Sequence, residues 1–186
     1  MSPDIRVGWT VVLFLAALAA GMGVSSVAHC EPSPLIERVA ALVPVFGSKK
    51  EPLVDPAGFA SAVVSVSGGN RDWTALLATV AIHEAALSAR IADGNCRPLE
   101  CDHGLAWSLY QIHRNQQNSA VWGSRDLTVQ TREASRMLRQ AFYRCGGLHD
   151  GWLLQTLRAY AGHGCASPFP GETERVATFV RVRSRL

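Results

Sequence analysis

Apolar residues recur at three-four spacing through most of the chain beyond residue 55, and that spacing predicts helices. The clearest case runs from Asp72 to about Ala89, where Trp73, Leu76, Leu77, Val80, Ala81 and Leu87 fall on one face. Asn70-Arg71-Asp72 caps its start. Before it, Asp55-Pro56 opens another helix with a capping carboxylate and a first-turn proline, and Gly68-Gly69 ends it. Asp126 opens a long helix with Ala134, Met137, Leu138, Ala141, Phe142 and Cys145 on one stripe, stopped by Gly146-Gly147. Further helices are predicted from Asp150 to about Ala161 and from Glu172 towards the C-terminus. Residues 108–113 are apolar but short, which fits helix or extended chain equally, and no alternating pattern predicts strands. The predicted class is mostly α.

Two segments depart from this pattern. Residues 7–24 are almost wholly apolar, with small residues at Ser26-Val27-Ala28, so residues 1–30 read as an export signal. A run of roughly 20 apolar residues also spans a bilayer, so cleavage and retention as a membrane anchor both stay open. Val27-Ala28-His29-Cys30 makes a poor lipoprotein box, because His29 stands where a small residue is needed. Residues 31–54 hold Pro32, Pro34, Pro44, Gly47 and Pro52 and read as a linker with one short helix over 34–42. The folded domain is expected over 55–186.

Composition adds little to the fold but narrows function. Of 186 residues, 48% are apolar and 18% charged, enough for a packed core. The net charge of +3 suits an anionic cell wall, and no clustered basic face argues for nucleic acid. Cys96, Cys101, Cys145 and Cys165 form an even set that allows three connectivities. Cys96 and Cys101 flank a short loop, while Cys145 closes one predicted helix and Cys165 follows another, which favours one bridge in each place. The competing reading is a zinc site from Cys96, Cys101 and His103. It lacks a second paired-Cys or paired-His element.

The inward face of the 72–89 helix continues onto Glu84. An ionised carboxylate buried without a partner is costly, so such a group tends to keep its proton. A protonated acid in an apolar cleft is what protonates the leaving oxygen of a glycosidic bond. The plainer alternative is a structural ion pair with Arg90, Arg114 or Arg158. His83-Glu84-Ala85-Ala86-Leu87 also invites a zinc-protease reading, but Leu87 stands where the second His ligand belongs. That reading fails.

Three motifs follow in order. Ala78-Thr79-Val80-Ala81-Ile82-His83-Glu84 resembles the apolar run ending in the catalytic acid of the soluble lytic transglycosylases, whose core fold is shared with goose-type lysozyme. Ser108-Leu109-Tyr110-Gln111-Ile112 is similar to that family's Gly-Leu-Met-Gln-Ile segment, and Ala159-Tyr160-Ala161-Gly162-His163-Gly164 to its Ala-Tyr-Asn-Ala-Gly-x-Gly stretch. The likeness covers roughly residues 72–186, including a similar terminal helix over 174–180. Departures are Ala85 in place of a Ser, Ser108 in place of a Gly, a missing Asn after Tyr160, and a longer stretch between Glu84 and Gln111.

The resemblance implies a lysozyme-like domain in which Glu84 protonates the bond between N-acetylmuramic acid and N-acetylglucosamine. Glu84 then acts as base on the muramoyl 6-hydroxyl, giving a 1,6-anhydro product. It implies that Gln111 binds sugar, that Tyr160 reaches Glu84 by hydrogen bond, and that Ser108 and Tyr110 line the cleft. No metal or organic cofactor is required by such chemistry. Hydrolysis instead needs a second carboxylate, at about 5 Å as nucleophile or roughly 6.5–9.5 Å with an intervening water. Asp102 and Glu100, with Asp93 nearby, are the loop candidates. A different class remains: a domain that binds peptidoglycan without cutting it, or a structural part of an envelope-spanning complex. A small membrane-anchored partner protein is a third, but it leaves the inward acid unexplained.

Overall fold

The computed structural model describes residues 33–97, 99–115 and 117–186, so the export or anchor segment expected over residues 1–30 lies outside the described residues. Helix α1 (Pro34–Phe46) starts at Ser33, whose hydroxyl accepts from the Leu35 amide. Its Val39, Leu42 and Val43 are buried, and it packs on the next helix. The stretch read as a linker is therefore part of the core. Pro34 sits in the first turn, where a missing amide costs nothing, and the helix runs past Leu42 with Pro44 inside it.

Helix α2 (Pro56–Ser67) is capped by Asp55, whose carboxylate accepts from the Gly58 amide at 2.7 Å, and ends where Gly68 turns left-handed at φ 64°. Helix α3 (Arg71–Ala85) starts on Asn70, which accepts from the Trp73 amide at 2.9 Å. Every residue from Thr74 to Ala81 is buried, so α3 is a central helix surrounded on all sides rather than one with a single inward stripe. Helix α3 stops at Ala85 instead of Ala89, because Ala86 and Leu87 adopt φ 47° and 49°. Such left-handed geometry costs an L-residue about 1–2 kcal/mol. Replacing exposed Ala86 by Gly is expected to raise stability by about 0.5–1 kcal/mol after the larger unfolded-state entropy of glycine is offset. Chemical denaturation of the two proteins checks this.

Two short helical segments follow, α4 (Ala89–Ala92) and α5 (Cys101–Gly104), and then a two-stranded antiparallel hairpin. In it β1 (Ala106–Trp107) pairs with β2 (Ile112–His113), with Ala106 opposite His113 and Trp107 opposite Ile112. This hairpin corrects the expectation of no strands. Strands of two residues are too short to show alternation. Helix α6 (Leu127–Arg144) begins on Asp126, which accepts from the Thr128 and Val129 amides. Helices α7 (Trp152–Tyr160) and α8 (Glu172–Arg185) complete the chain. Around α3 lie α2, α6 and α8, and α7 packs against α6 and α8. The class is mostly α, as the spacing predicts.

Disulfides join Cys96 to Cys101 and Cys145 to Cys165. Two such bonds fit an oxidising, exported environment. They also occupy the thiols that the zinc reading needed. Among the described residues no helix is long and apolar enough to cross a membrane.

Candidate active site

Glu84 is the penultimate residue of α3, in its last turn, where the helix emerges from the core beside the hairpin. Its carboxylate forms part of an open groove of about 660 Å³. Gln111, Ala106, Asp102 and His113 contribute from the α5–hairpin segment, and Tyr160, Ala161, Gly162 and His163 from the end of α7 and the turn after it. Met137 of α6, Phe169 and Arg175 complete the lining. Residues far apart in sequence thus meet at one surface. Glu84, Gln111 and Tyr160 are three of them.

Glu84 is not unpartnered. Arg175 of α8 donates from Nη1 to Glu84 Oε1, and the two side chains are only 16% and 18% exposed. The partners considered from sequence are engaged elsewhere. Arg90 pairs with Glu51 and Glu100, Arg158 makes two hydrogen bonds to Glu172 at 2.8 and 2.9 Å, and Arg114 lies over the Trp122 ring. Arg175 was missed, yet the signal that marked Glu84 marks it too. Arg175 falls on the inward stripe of α8 with Thr178, Phe179 and Val182, all buried. It also lies 5.1 Å from the Phe169 ring centroid, and Phe169 stacks on His163 at 5.7 Å. His83, next to the acid, is pushed below the ordinary histidine value, first by burial and then by the Arg175 charge. Its Nε2 has no hydrogen-bond partner among the described residues.

The Ser108–Gln111 turn follows different rules from those the resemblance implies. Ser108 is fully buried and Tyr110 is 1% exposed, so neither reaches the groove as a sugar contact. Instead Ser108 Oγ accepts from the Tyr110 amide at 3.2 Å, and Tyr110 Oη shares a 3.1 Å hydrogen bond with Thr131. Burial drives the Tyr110 phenol far above its ordinary value. Both residues set the turn that presents Gln111. Gln111 Nε2 donates to the Ser108 carbonyl at 3.0 Å, which fixes the amide against the wall. Tyr160 does not hydrogen-bond Glu84. Its hydroxyl donates to the Tyr110 carbonyl at 2.8 Å, so α7 braces the same turn. Burial, and then the nearby Glu84 charge, raises the Tyr160 phenol well above its ordinary value.

Among the described residues, every non-glycine with positive φ falls between 86 and 111: Ala86, Leu87, Leu99, Cys101, Asp102, His103, Ser108 and Gln111. Each such residue costs on the order of 1–3 kcal/mol and persists only where surrounding contacts enforce it. This whole stretch connects the acid to Gln111. Of these residues Asp102 and Gln111 line the groove.

The loop carboxylates separate clearly. Asp102 lines the groove, 55% exposed, with its Oδ2 3.3 Å from His113 Nε2. Glu100 does not reach it. Glu100 accepts from Arg90 Nη2 at 2.9 Å and from the Arg97 amide at 2.7 Å, while Glu51 accepts from Arg90, Arg97 and Ser88. Asp93 lines a separate cavity of about 480 Å³ near the starts of α2 and α6. The Arg90 hydrogen bonds hold Glu51 and Glu100 below the usual carboxylate value. A carboxylate lowered by folding stabilises above its unfolded value and loses that contribution as pH falls through the folded one. Thermal stability is therefore expected to fall as pH drops below about 4.5, and less steeply in Arg90→Ala, as melting curves across acid pH will report.

No group of histidine, cysteine and carboxylate side chains among the described residues has the arrangement of a metal site. The groove offers two carboxylates, an amide, two imidazoles, a guanidinium and an aromatic wall, a set suited to binding a polar ligand and moving a proton. Compared with family models, curated protein sequences and solved structures, the chain matches none.

Proposed function

We propose that this chain is an exported peptidoglycan-cleaving enzyme with a lysozyme-like domain, acting as a lytic transglycosylase on the bond between N-acetylmuramic acid and N-acetylglucosamine. Support comes chiefly from one observation: Glu84, Gln111 and Tyr160 line a single open groove. In this reading a glycan strand lies along the groove and Gln111 binds an N-acetyl group or hydroxyl. Glu84, carrying a proton, gives it to the glycosidic oxygen as the bond to the muramoyl anomeric carbon breaks. The resulting carboxylate then takes the proton of the muramoyl 6-hydroxyl, which closes onto the anomeric carbon as a 1,6-anhydro ring. Proton and bond accounts balance without water. Tyr160 serves by bracing the Gln111 turn.

Asp102 favours a second reading, since it shares the groove with Glu84 and is open to solvent. As nucleophile or base it makes the enzyme a muramidase that consumes water. The Arg175–Glu84 pair favours a third, a non-catalytic wall-binding part of an envelope complex. Mass spectrometry of fragments released from purified sacculi separates all three. Anhydromuramoyl ends support the lyase, reducing muramoyl ends support the hydrolase, and binding to sacculi with no released fragments supports the non-catalytic role. The expected localisation is the periplasm, the outer face of the inner membrane or the medium.

A further inference from the structure

Arg175 donates to Oε1 of the Glu84 carboxylate, and the proposed chemistry leaves that contact unexplained. The other partly buried arginines are more heavily committed, each through more than one nitrogen. Arg90, Arg136 and Arg158 each hold a carboxylate with two or more hydrogen bonds. Arg175 is different. It gives one N–H to Glu84, and among the described residues its Nε and Nη2 donate to nothing. A guanidinium carries five N–H donors in a planar fork that matches a carboxylate with two parallel bonds. The unused donors belong to a residue that lines the groove, and Phe169 supports the cation from one side. A paired contact with an incoming anion would replace that single bond with two.

We propose that Arg175 is a carboxylate-operated latch on Glu84. In the resting protein the guanidinium covers the acid. When a strand bearing a carboxylate enters, that group takes the Arg175 fork, and Glu84 is freed to take a proton from solvent and deliver it to the glycosidic oxygen. This inference rests on the glycosidase reading and deepens it, because it makes the substrate an anionic glycan rather than a neutral one. Two parts of the wall polymer carry such a group: the lactyl carboxylate of a muramoyl residue stripped of its peptide, and the carboxylates of the stem peptide. A neutral chitin-type strand carries neither.

The first test needs no turnover. The full chain is titrated, with NMR detection, against N-acetylglucosamine, N-acetylmuramic acid and N-acetylmuramoyl-L-alanyl-D-isoglutamine. At least one acidic probe is expected to bind about tenfold more tightly than the neutral sugar, the factor that about one charge-assisted pair supplies. Preference for N-acetylmuramic acid identifies the lactyl group, and preference for the dipeptide probe identifies the stem. The preference should vanish in Arg175→Gln and be partly kept in Arg175→Lys, both verified as folded by circular dichroism. No preference in the parent protein, no binding of any probe, or an unchanged preference in Arg175→Gln overturns the latch.

The second test reads the gate itself. Relative to the parent protein, Arg175→Gln is expected to narrow the rate ratio between acidic strands and neutral chitooligosaccharide by about tenfold, since the neutral substrate no longer meets a covered acid. An equal fall on both substrates marks a merely structural arginine and removes the proposal. Failure of the underlying reading looks different: the parent protein releases no fragments from any strand.

Discussion

Glu84→Gln is expected to lower the rate of fragment release from sacculi by at least about a thousandfold, because the amide keeps the shape of the carboxyl group but has no proton to give. The substitution is nearly isosteric and falls among the groove lining, so the core around Leu76, Leu77 and Val80 is untouched. It also removes the anionic partner of Arg175. The Gln carbonyl can still accept the Arg175 N–H, but losing the counter-charge of a pair only 16% and 18% exposed is expected to cost on the order of 1–3 kcal/mol of stability. Turbidity clearing by the two proteins, with thermal unfolding as the control for folding, gives the comparison. Comparable clearing by both proteins removes Glu84 from the chemistry.

Loss of the Cys145–Cys165 bridge should have the largest effect on stability. Cys145 follows the last turn of α6, and Cys165 lies in the segment between α7 and α8. That same segment carries His163 and Phe169 into the groove. With a sequence separation of 20, the chain-entropy account gives about 3 kcal/mol. A domain of ordinary stability has only about 5–15 kcal/mol in all. Cys145→Ala/Cys165→Ala is therefore expected to melt roughly 6–12 °C lower than the parent protein. Activity should fall as well, since the Phe169 support beneath Arg175 loosens. An unchanged melting temperature contradicts a net stabilising role for this bond. The Cys96–Cys101 bridge closes a much shorter loop and should contribute less to stability, while its loss should free Asp102 from the groove wall.

The helices were legible where their ends carry chemistry. Asp55, Asn70 and Asp126 each cap a helix with the hydrogen bond their residue type predicts, and Gly68 supplies the left-handed turn that ends α2. The end of α3 was not legible, because Ala86 and Leu87 turn left-handed without any glycine to announce it. The same cause hid the 99–111 wall, where tertiary contacts and a disulfide hold residues in conformations their own types disfavour. A helix over 34–42 was legible, but its extension through Pro44 to Phe46 and its packing into the core were not, because prolines mark loops on average.

The site divides in the same way. Glu84 was visible as a charge on an apolar face. Arg175 gave the same signal on α8 and went unread beside the more numerous surface arginines of that helix. Gln111 and Tyr160 reach the groove, but the part that Tyr160 plays was not visible in its motif. A hydroxyl that bonds the Tyr110 carbonyl instead of Glu84 depends on where α7 ends relative to the hairpin, a distance no local pattern encodes. Ser108 and Tyr110 share a motif with Gln111, yet the left-handed backbone at Ser108 and Gln111 sends them inward.

The most direct measurement is a crystal structure of Glu84→Gln soaked with a peptidoglycan tetrasaccharide. Sugar rings are expected along the groove past Gln111, with one glycosidic oxygen within roughly 3 Å of the side chain at position 84 and Arg175 turned away from it. A strand bound elsewhere, or one in the groove whose glycosidic oxygens all lie beyond that side chain's reach, contradicts that expectation.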